Sequence, residues 1–230
     1  MMHLFFDPDL HADTSMLSEE EAHHAVHVLR LQAGDRIGLL NGRGARASAE
    51  IVTIDKKQCR VRIIGLEQGP PERSGTIHLA VAPTKQMERF EWCVEKCTEI
   101  GVDRITPLLT FRTERSRIRK DRLERIAIAA MKQSQRSWSP TMDDPMDIAA
   151  LLRQARPSQR YFGWCTGDHQ ALTALRRPGD VLLLIGPEGD FTAEEADLLR
   201  TNGSAAVSLG RARLRTETAA VVGCTLLNMV

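Results

Sequence analysis

The stretch from Val181 to Phe191 constrains the fold of this chain more than any other. Its first five residues are apolar and include no turn former, which is typical of a strand buried on both faces. The next five, Gly-Pro-Glu-Gly-Asp, favour a tight loop, and Thr192 to Glu195 then shows the capping-box pattern that begins a helix. Open α/β sheets bind ligands at the carboxyl ends of their strands, so a ligand is expected at this loop.

A second segment near the C-terminus repeats the arrangement. Ala205 to Leu209 predicts a short strand, Gly210 begins another loop, and the residues from Thr216 onward predict a helix. Three arginines, at positions 211, 213 and 215, are crowded into this loop. Two glycine-bearing loops at strand ends favour a single shared site, because the ends of parallel strands meet at one edge of a sheet.

The N-terminal part of the chain has a different pattern. Residues 36 to 64 predict short strands separated by turns, which is typical of a small β module. Residues 67 to 75 combine glycine, proline and charge without periodicity and so indicate a boundary. From Thr76 onward, strands alternate with helices. We therefore expect two domains, residues 1–68 and residues 75–230, the second of the α/β class.

Charge is unevenly distributed along the chain. The formal net charge is only +1, yet residues 111 to 136 contain nine Lys or Arg against three Asp or Glu. A basic segment in a nearly neutral protein indicates a polyanionic partner, although a solvated charged surface would give the same pattern.

Several features bear on compartment and metal content. The five cysteines are odd in number and form no Cys-x-x-Cys motif, and no secretory signal is apparent, which favours reduced thiols in a cytoplasm. No apolar run reaches the roughly 18–20 residues of a membrane span. His23 and His27 have the spacing of metal ligands on a helix, but a third ligand is lacking nearby. We therefore expect a soluble cytoplasmic protein that binds neither a membrane nor a metal.

Two motifs carry a family resemblance. Gly-Pro-Glu-Gly-Asp-Phe-Thr from Gly186 and Leu-Gly-x-x-x-Leu-Arg-x-Glu-Thr-Ala from Leu209 resemble the SPOUT-superfamily RNA methyltransferases. Within them, the chain is similar to bacterial enzymes that methylate N3 of a uridine in 16S ribosomal RNA. The resemblance extends to residues 24–31 and 133–136, and so covers nearly the whole chain. The family usually has glycine where this chain has Asp190.

The resemblance implies a fold, a cofactor and partners. The fold is an α/β SPOUT methyltransferase domain with a trefoil knot, preceded by a small PUA-like β-barrel that binds RNA. The cofactor is S-adenosylmethionine, the substrate is 16S ribosomal RNA or the small ribosomal subunit, and the protein is a homodimer. The residues agree on the ligand class: Gly-Lys-Ser/Thr and Gly-x-Gly-x-x-Gly patterns are absent, and the loop acid Glu188 suits a cationic ligand better than a phosphate.

Candidate site residues follow from these loops and from the matching family motifs. Arg215 is the first candidate for stabilising negative charge on a deprotonated uracil, although it could also pair with a phosphate. Glu217 could accept the N3 proton or orient Arg215, but an acid in the first turn of a helix is favourable for dipole reasons alone. The candidate cofactor-binding residues are Leu184, Gly186, Glu188, Gly189, Leu209, Gly210 and Leu214. The candidate RNA-binding residues are Arg30, Arg112, Arg115 and Arg136.

The last helix, roughly Thr216 to Val230, carries no charge after Glu217 and must therefore be buried. Core packing and a subunit interface would both bury it, and the dimers of the resembling family favour the interface.

Two other functions stay open at this point. One is a SPOUT methyltransferase acting on tRNA or on a ribose 2′-oxygen, and the other is a non-catalytic assembly factor that binds ribosomal RNA.

Overall fold

The computed structural model describes residues 2–55, 58–114, 117–155 and 157–229. The chain forms two compact units. Unit 1 comprises Met1–Glu72 together with Ile128–Ser139, and unit 2 comprises Arg73–Ala127 together with Pro140–Val230. Unit 1 is thus made from two separate pieces of the chain.

Unit 1 is built on a five-stranded sheet. Its elements are β1 (Leu4–Phe6), β2 (Thr14–Met16), α1 (Glu19–His23) with a π-helical continuation (His24–Val28), β3 (Arg36–Leu40), β4 (Ala45–Ile54) and β5 (Cys59–Gln68). The strand order is β1-β3-β4-β5-β2, and only the β1–β3 pair is parallel among these neighbours. Alternate residues of β4 are buried from Ala45 to Ile51, so one face of the sheet covers a core that includes Phe5 and Leu17.

The second piece of unit 1 packs against the turn between β3 and β4. Gly44 N donates a hydrogen bond to Ser137 O (2.9 Å), and Trp138 Nε1 donates to Pro70 O (3.1 Å). A Cβ on Gly44 would lie only 2.5 Å from the Trp138 ring, and Gly44 also has a positive φ of 91°. Only glycine fits between this turn and the indole.

Unit 2 alternates strands and helices, as the sequence predicts. Its elements are β6 (Ile77–Val81), α2 (Met87–Ile100), β7 (Arg104–Leu109), α3 (Lys120–Gln133), β8 (Thr141–Met142), β9 (Met146–Asp147), α4 (Ile148–Gln154), β10 (Gln159–Gly163), α5 (Leu172–Leu175), β11 (Val181–Ile185), α6 (Ala193–Thr201), β12 (Ala205–Val207) and α7 (Thr216–Asn228). The end of α3 belongs to unit 1. The strands form a seven-stranded sheet in the order β12-β10-β11-β6-β7-β8, with β9 beside β7, and all these pairs are parallel. The α/β fold class is confirmed.

Strand β11 lies in the middle of this sheet between β10 and β6, and all five of its residues are buried. Its odd-numbered residues, such as Leu183, face the core that contains α2 and α7. Leu182 and Leu184 face the opposite core, which contains α4 and α6. Burial on both faces explains why the strand is apolar throughout and confirms the predicted buried strand.

Helix α7 presents one face to the core through Ala220, Cys224 and Leu227, which are fully buried. Val221 and Leu226 are half-buried and pack at the edge of this core, Val222 is also half-buried, and Thr225 and Met229 are exposed. Core packing therefore accounts for part of this uncharged helix, while an apolar strip of it remains accessible in the single chain. The trefoil knot implied by the family resemblance stays a prediction.

Candidate active site at three strand ends

A cleft of about 800 Å³ lies in unit 2 at the carboxyl ends of β10, β11 and β12. Three loops border it, at residues 163–169, 186–190 and 207–215. The three strands are parallel neighbours or next neighbours in the sheet, so their loops meet at one edge. The two loops singled out in the sequence therefore share one cleft, as predicted.

The loop after β11 turns sharply because two successive residues have left-handed backbone conformations. Gly189 has φ of 94° and Asp190 has φ of 70°. Glycine adopts such a φ without strain, and aspartate tolerates it better than most residues. The turn closes with a hydrogen bond from Asp190 N to Pro187 O (3.0 Å), and Glu188 and Gly189 are left exposed toward the cleft. The capping box predicted to follow is present, with Thr192 and Glu195 bonded reciprocally.

The Asp190 carboxylate joins two walls of the cleft. Its Oδ1 accepts a hydrogen bond from Phe191 N (2.8 Å), and its Oδ2 accepts one from Cys165 N (2.9 Å) in the loop after β10. We call this pair of contacts the Asp190 clasp. Burial and the neighbouring Asp190 carboxylate raise the pKa of the Cys165 thiol, which keeps the thiol neutral at ordinary pH.

The loop after β12 contributes an accessible stretch of backbone and three arginine side chains to the cleft. Gly210 has φ of 142° and nothing lies within 4 Å of the place where its Cβ would be. Arg211, Arg213 and Arg215 are exposed and line the cleft. Arg215 is also the N-cap residue of α7, and its carbonyl accepts from Ala219 N (2.7 Å). Its backbone is therefore fixed while its guanidinium remains in solvent.

The two glycine-bearing loops are connected at the start of α7. Thr216 Oγ1 donates a hydrogen bond to Gly186 O (3.1 Å), and Thr216 is buried. Gly186 in turn packs closely under the Phe191 ring, since a Cβ there would lie 3.1 Å from ring atoms. A shift in either loop would disturb the other through this bond.

Glu217 lies beneath the cleft surface. The residue is 8% exposed, its Oε1 lies 3.7 Å from Arg89 Nη1, and its Oε2 has no hydrogen-bond partner among the residues that the structure describes. Arg89, on α2, lines the cleft and is half-buried. Arg89 could not be selected from the sequence, because it lies far along the chain from both motifs.

The structure places most of the predicted cofactor-binding residues at the cleft. Those that line it are Gly186, Glu188, Gly189, Leu209, Gly210 and Leu214. Leu184 is fully buried in β11 and does not line the cleft. Of the two predicted catalytic residues, Arg215 lines the cleft and Glu217 lies behind it. A third loop, which was not predicted, also lines the cleft through Trp164, Asp168 and His169. It follows β10 without a glycine motif like those after β11 and β12.

The predicted RNA-binding arginines are found in several environments. Arg112 donates to the carbonyl oxygens of Gly189 and, at 3.4 Å, of Phe191, so it supports the loop after β11. Arg115 lies outside the described residues. In unit 1, Arg136 forms a two-pronged ion pair with Glu72 (3.0 and 2.7 Å), whereas Arg30 is exposed and has a positive φ of 56°.

The described part of the chain contains no group of three or more His, Cys, Asp or Glu side chains that could hold a metal ion. None of the helices in that described part is long and apolar enough to cross a membrane.

Comparison with known proteins agrees with the geometry. An RNA methyltransferase domain family matches residues 71–228, and an RNA methyltransferase PUA domain matches residues 17–64. Ribosomal RNA small subunit methyltransferase E of Synechocystis is 30% identical over 223 residues, which cover 94% of this chain and 73% of the relative. The counterpart in Rickettsia conorii is 28% identical, covering 94% of this chain and 89% of the relative.

Solved structures with the same fold extend the match to the whole chain. A probable rRNA methyltransferase from Porphyromonas gingivalis is 39% identical with a TM-score of 0.91, covering 99% of this chain and 98% of its own. A putative methyltransferase from Legionella pneumophila, in complex with S-adenosylmethionine, is 32% identical with a TM-score of 0.91, covering 100% and 98%. The ligand bound to that neighbour is the cofactor that the sequence predicts here. The strand-end cleft, the two motifs and both domain matches lead to the conclusion that this chain belongs to the RNA methyltransferase family with an N-terminal PUA domain.

Proposed function

We propose that this protein transfers a methyl group from S-adenosylmethionine to N3 of a uridine in 16S ribosomal RNA. The observation that carries the proposal is the cleft at which the Gly-Pro-Glu-Gly loop and the arginine-bearing loop meet. Support also comes from relatives that are named as methyltransferases of small-subunit ribosomal RNA.

The residues of the cleft fit S-adenosylmethionine. Ile185, Val207 and Leu209 provide apolar surface, while the glycine-bearing loops expose backbone donors and acceptors that suit an adenine base. The carboxylates of Asp168 and Glu188 suit the positive charge of the cofactor. We assign cofactor binding to Leu184, Gly186, Glu188, Gly189, Leu209, Gly210 and Leu214, with Leu184 acting from within β11 by supporting the loop. When bound there, S-adenosylmethionine supplies an activated methyl group.

Arg215 is assigned to the uracil. N3–H is a weak acid, so its loss places negative charge on the flanking carbonyl oxygens. A guanidinium fixed at the cleft would stabilise that charge, and its planar fork can donate to two acceptors at once. The fixed backbone of Arg215 at the N-cap of α7 supports this role, because the helix N-terminus adds positive potential at the same place.

Glu217 is assigned as the group that receives the N3 proton. Its buried Oε2 has no partner in the described part of the chain, which leaves an acceptor free beneath the cleft. Its other oxygen faces Arg89, so the carboxylate also holds Arg89 at the cleft wall. Glu217→Gln would keep the shape and remove the base, and a loss of rate without loss of cofactor affinity would support the assignment.

We assign RNA contacts to Arg30, Arg112, Arg115 and Arg136, of which Arg30 lies in the matched PUA domain and Arg136 in the second piece of unit 1. Arg112 also donates hydrogen bonds to carbonyl oxygens of the loop after β11, which would hold it beside the cleft. Ribosomal RNA as substrate implies a cytoplasmic protein. We also propose a homodimer, in which the half-buried strip of Val221, Val222 and Leu226 is covered by a second copy.

The direct test is to identify the modified nucleoside. Small subunits from cells lacking the protein would be treated with the purified protein and S-adenosylmethionine, and the RNA would be digested and analysed by mass spectrometry. We expect 3-methyluridine in 16S ribosomal RNA. A 2′-O-methylated nucleoside or a methylated tRNA would contradict this assignment. Such a product would indicate instead a methyltransferase that acts on a ribose 2′-oxygen or on tRNA. Absence of cofactor binding in calorimetry would indicate a non-catalytic RNA-binding factor.

A further inference from the structure

We propose that Phe111 is a stacking platform for an unpaired RNA base next to the target nucleotide. The proposal rests on the proposed RNA substrate, but it does not depend on which atom of the target is methylated. It gives a binding role to a side chain that neither the glycine motifs nor the arginine assignments include.

The Phe111 ring is exposed to solvent. The residue is 85% exposed, the largest value among the exposed large apolar residues of the described chain, ahead of Met229 at 74%. Burying a phenylalanine side chain stabilises a protein by roughly 1.5–3 kcal/mol, and this ring contributes little of that to the fold. It is therefore available to a ligand at small cost to the protein.

The exposure does not come from a loose backbone. Phe111 N donates to Glu195 Oε1 (2.8 Å), while the other oxygen of that carboxylate caps α6 at Thr192 N (2.8 Å). The flanking turn is closed twice, by Thr113 N to Thr110 O (3.1 Å) and by Thr110 N to Thr113 Oγ1 (2.9 Å). A side chain presented from a fixed backbone loses little conformational entropy on binding, and this favours an aromatic contact.

The surroundings indicate a nucleic acid as the occupant. The next residue, Arg112, donates to carbonyl oxygens of the loop after β11, so Phe111 lies beside a wall of the methyltransferase cleft. Residues 111 to 120 contain five Lys or Arg against one Asp or Glu. An exposed aromatic ring next to a basic stretch is typical of single-stranded nucleic-acid binding, where bases stack and phosphates pair with cations. A hydrophobic protein partner would not require this charge.

The test compares four variants in binding to a small-subunit ribosomal RNA fragment over a series of salt concentrations. Phe111→Ala removes the ring, Phe111→Leu keeps apolar bulk without a π face, and Phe111→Trp keeps a π face. Arg117→Ala, at an exposed cation of the same stretch, is the matched control for phosphate contacts. Melting temperatures should be unchanged for all three Phe111 variants, because the ring is exposed.

We expect Phe111→Ala to weaken RNA binding roughly 5- to 150-fold, the range that corresponds to one stacked base. Phe111→Leu should weaken binding similarly, and Phe111→Trp should bind as the wild type does. The slope of log K against log salt should be unchanged in the Phe111 variants and shallower in Arg117→Ala, since only phosphate contacts release counterions.

Three results would overturn the proposal. Wild-type affinity in Phe111→Ala would show that the ring does not contact RNA. Wild-type affinity in Phe111→Leu would indicate an apolar contact without stacking. Dissociation of a dimer by Phe111→Ala, seen in sedimentation, would place the ring in an interface between two copies. The product of methyl transfer at saturating RNA is measured separately, so an error in the proposed function would show there and not in the Phe111 binding series.

Discussion

Asp190 shows how one residue can depart from a family pattern and gain a structural role. At a position where the family resemblance predicts glycine, this chain has an aspartate at φ of 70°, a conformation that glycine adopts more easily. In exchange, the carboxylate bonds Cys165 N and Phe191 N and so ties the loop after β10 to the loop after β11. The sequence identified the departure, but it could not identify Cys165 as the partner, because the two residues meet only through the sheet order.

Asp190→Gly should therefore weaken cofactor binding without unfolding the protein. It removes the clasp, and a hydrogen bond to a charged group contributes about 1.5–3 kcal/mol, while glycine relieves the backbone strain. We expect S-adenosylmethionine affinity to fall roughly tenfold in calorimetry, with little change in melting temperature. Asp197→Asn is the control and should leave the affinity unchanged, since this exposed carboxylate on α6 does not line the cleft. Unchanged affinity in Asp190→Gly would mean that the clasp does not shape the cofactor site.

Arg215→Lys distinguishes a catalytic role from a phosphate contact. Lysine keeps the charge but lacks the planar fork that meets two acceptors. If Arg215 stabilises the uracil anion, the single-turnover rate with saturating RNA should fall on the order of 10²–10³-fold, with little change in cofactor affinity. A phosphate contact would instead weaken RNA binding and leave the saturated rate nearly normal. A wild-type rate would exclude the catalytic assignment.

Helices and strands that have a strong apolar pattern or a capping motif could be predicted from the sequence. Those that are determined by tertiary contacts could not. β11 and the capping box of α6 match the sequence predictions residue for residue, because each is specified by local chemistry. From the sequence, the apolar positions Leu123, Ile126, Ala130 and Met131 predict a helix over residues 121–137, whereas helix α3 ends at Gln133. Gln135 adopts a positive φ of 60° there, which ends the helix. The two-residue strands β8 and β9 were not predicted, since their pairing with β7 leaves no pattern in so short a segment.

Helix α7 depends on a close approach to β11 at Gly223. A Cβ at this position would lie 2.4 Å from Leu183 Cδ2, and Leu183 is fully buried. Gly223→Ala should gain roughly 1 kcal/mol in helix propensity, but crowding in a packed core typically costs about 1–3 kcal/mol. We expect a net loss of stability in urea denaturation. Thr225→Ala, exposed on the same helix, should be neutral or stabilising, and a stabilised Gly223→Ala would show that Leu183 can move aside.

At the scale of the whole molecule, a buried polar network in unit 2 links stability to pH. His78 Nε2 lies 2.7 Å from Thr106 Oγ1, Thr106 donates to Asp143, and Arg104 donates to Asp143 with two nitrogens (2.7 and 2.9 Å). Burial and the nearby Arg104 guanidinium lower the pKa of His78 from 6.5 to about 4. Burial raises the pKa of Asp143, but the hydrogen bonds from Arg104 and Thr106 outweigh it and hold that pKa below its usual value.

The protein should consequently lose stability as the pH falls from about 6.5 to about 4. In that window the unfolded chain protonates His78 while the folded chain keeps it neutral, and the loss approaches about 3 kcal/mol at the lower end. The contribution of Asp143 is lost only at still lower pH. His78→Gln should flatten the profile in urea titrations across this window, and His3→Gln, at an exposed position, should not. A wild-type profile in His78→Gln would assign the acid sensitivity to other groups.

The order of the two domain types and the location of the cleft could be predicted because both are determined by patterns along the chain. It could not be predicted from the sequence that residues 128–139 belong to unit 1. Residues 128–139 continue a helical pattern that begins in unit 2, and nothing in that pattern indicates which core its apolar side chains join. The contacts of Trp138 and Ser137 with the turn at Gly44 decide this, and they join positions more than ninety residues apart.

Because unit 1 is formed from two separate segments, the nascent chain cannot complete it when its five strands have been synthesised. Its five strands have all been synthesised once Glu72 has been added, but the segment that covers Gly44 ends only at Ser139. At a translation rate of roughly 5–20 residues per second, about 3–13 s pass between the two events. During that interval the five strands are present in the nascent chain, but Trp138, which packs against Gly44, has not yet been synthesised. The first unit to begin folding is therefore completed only when much of the second has been translated.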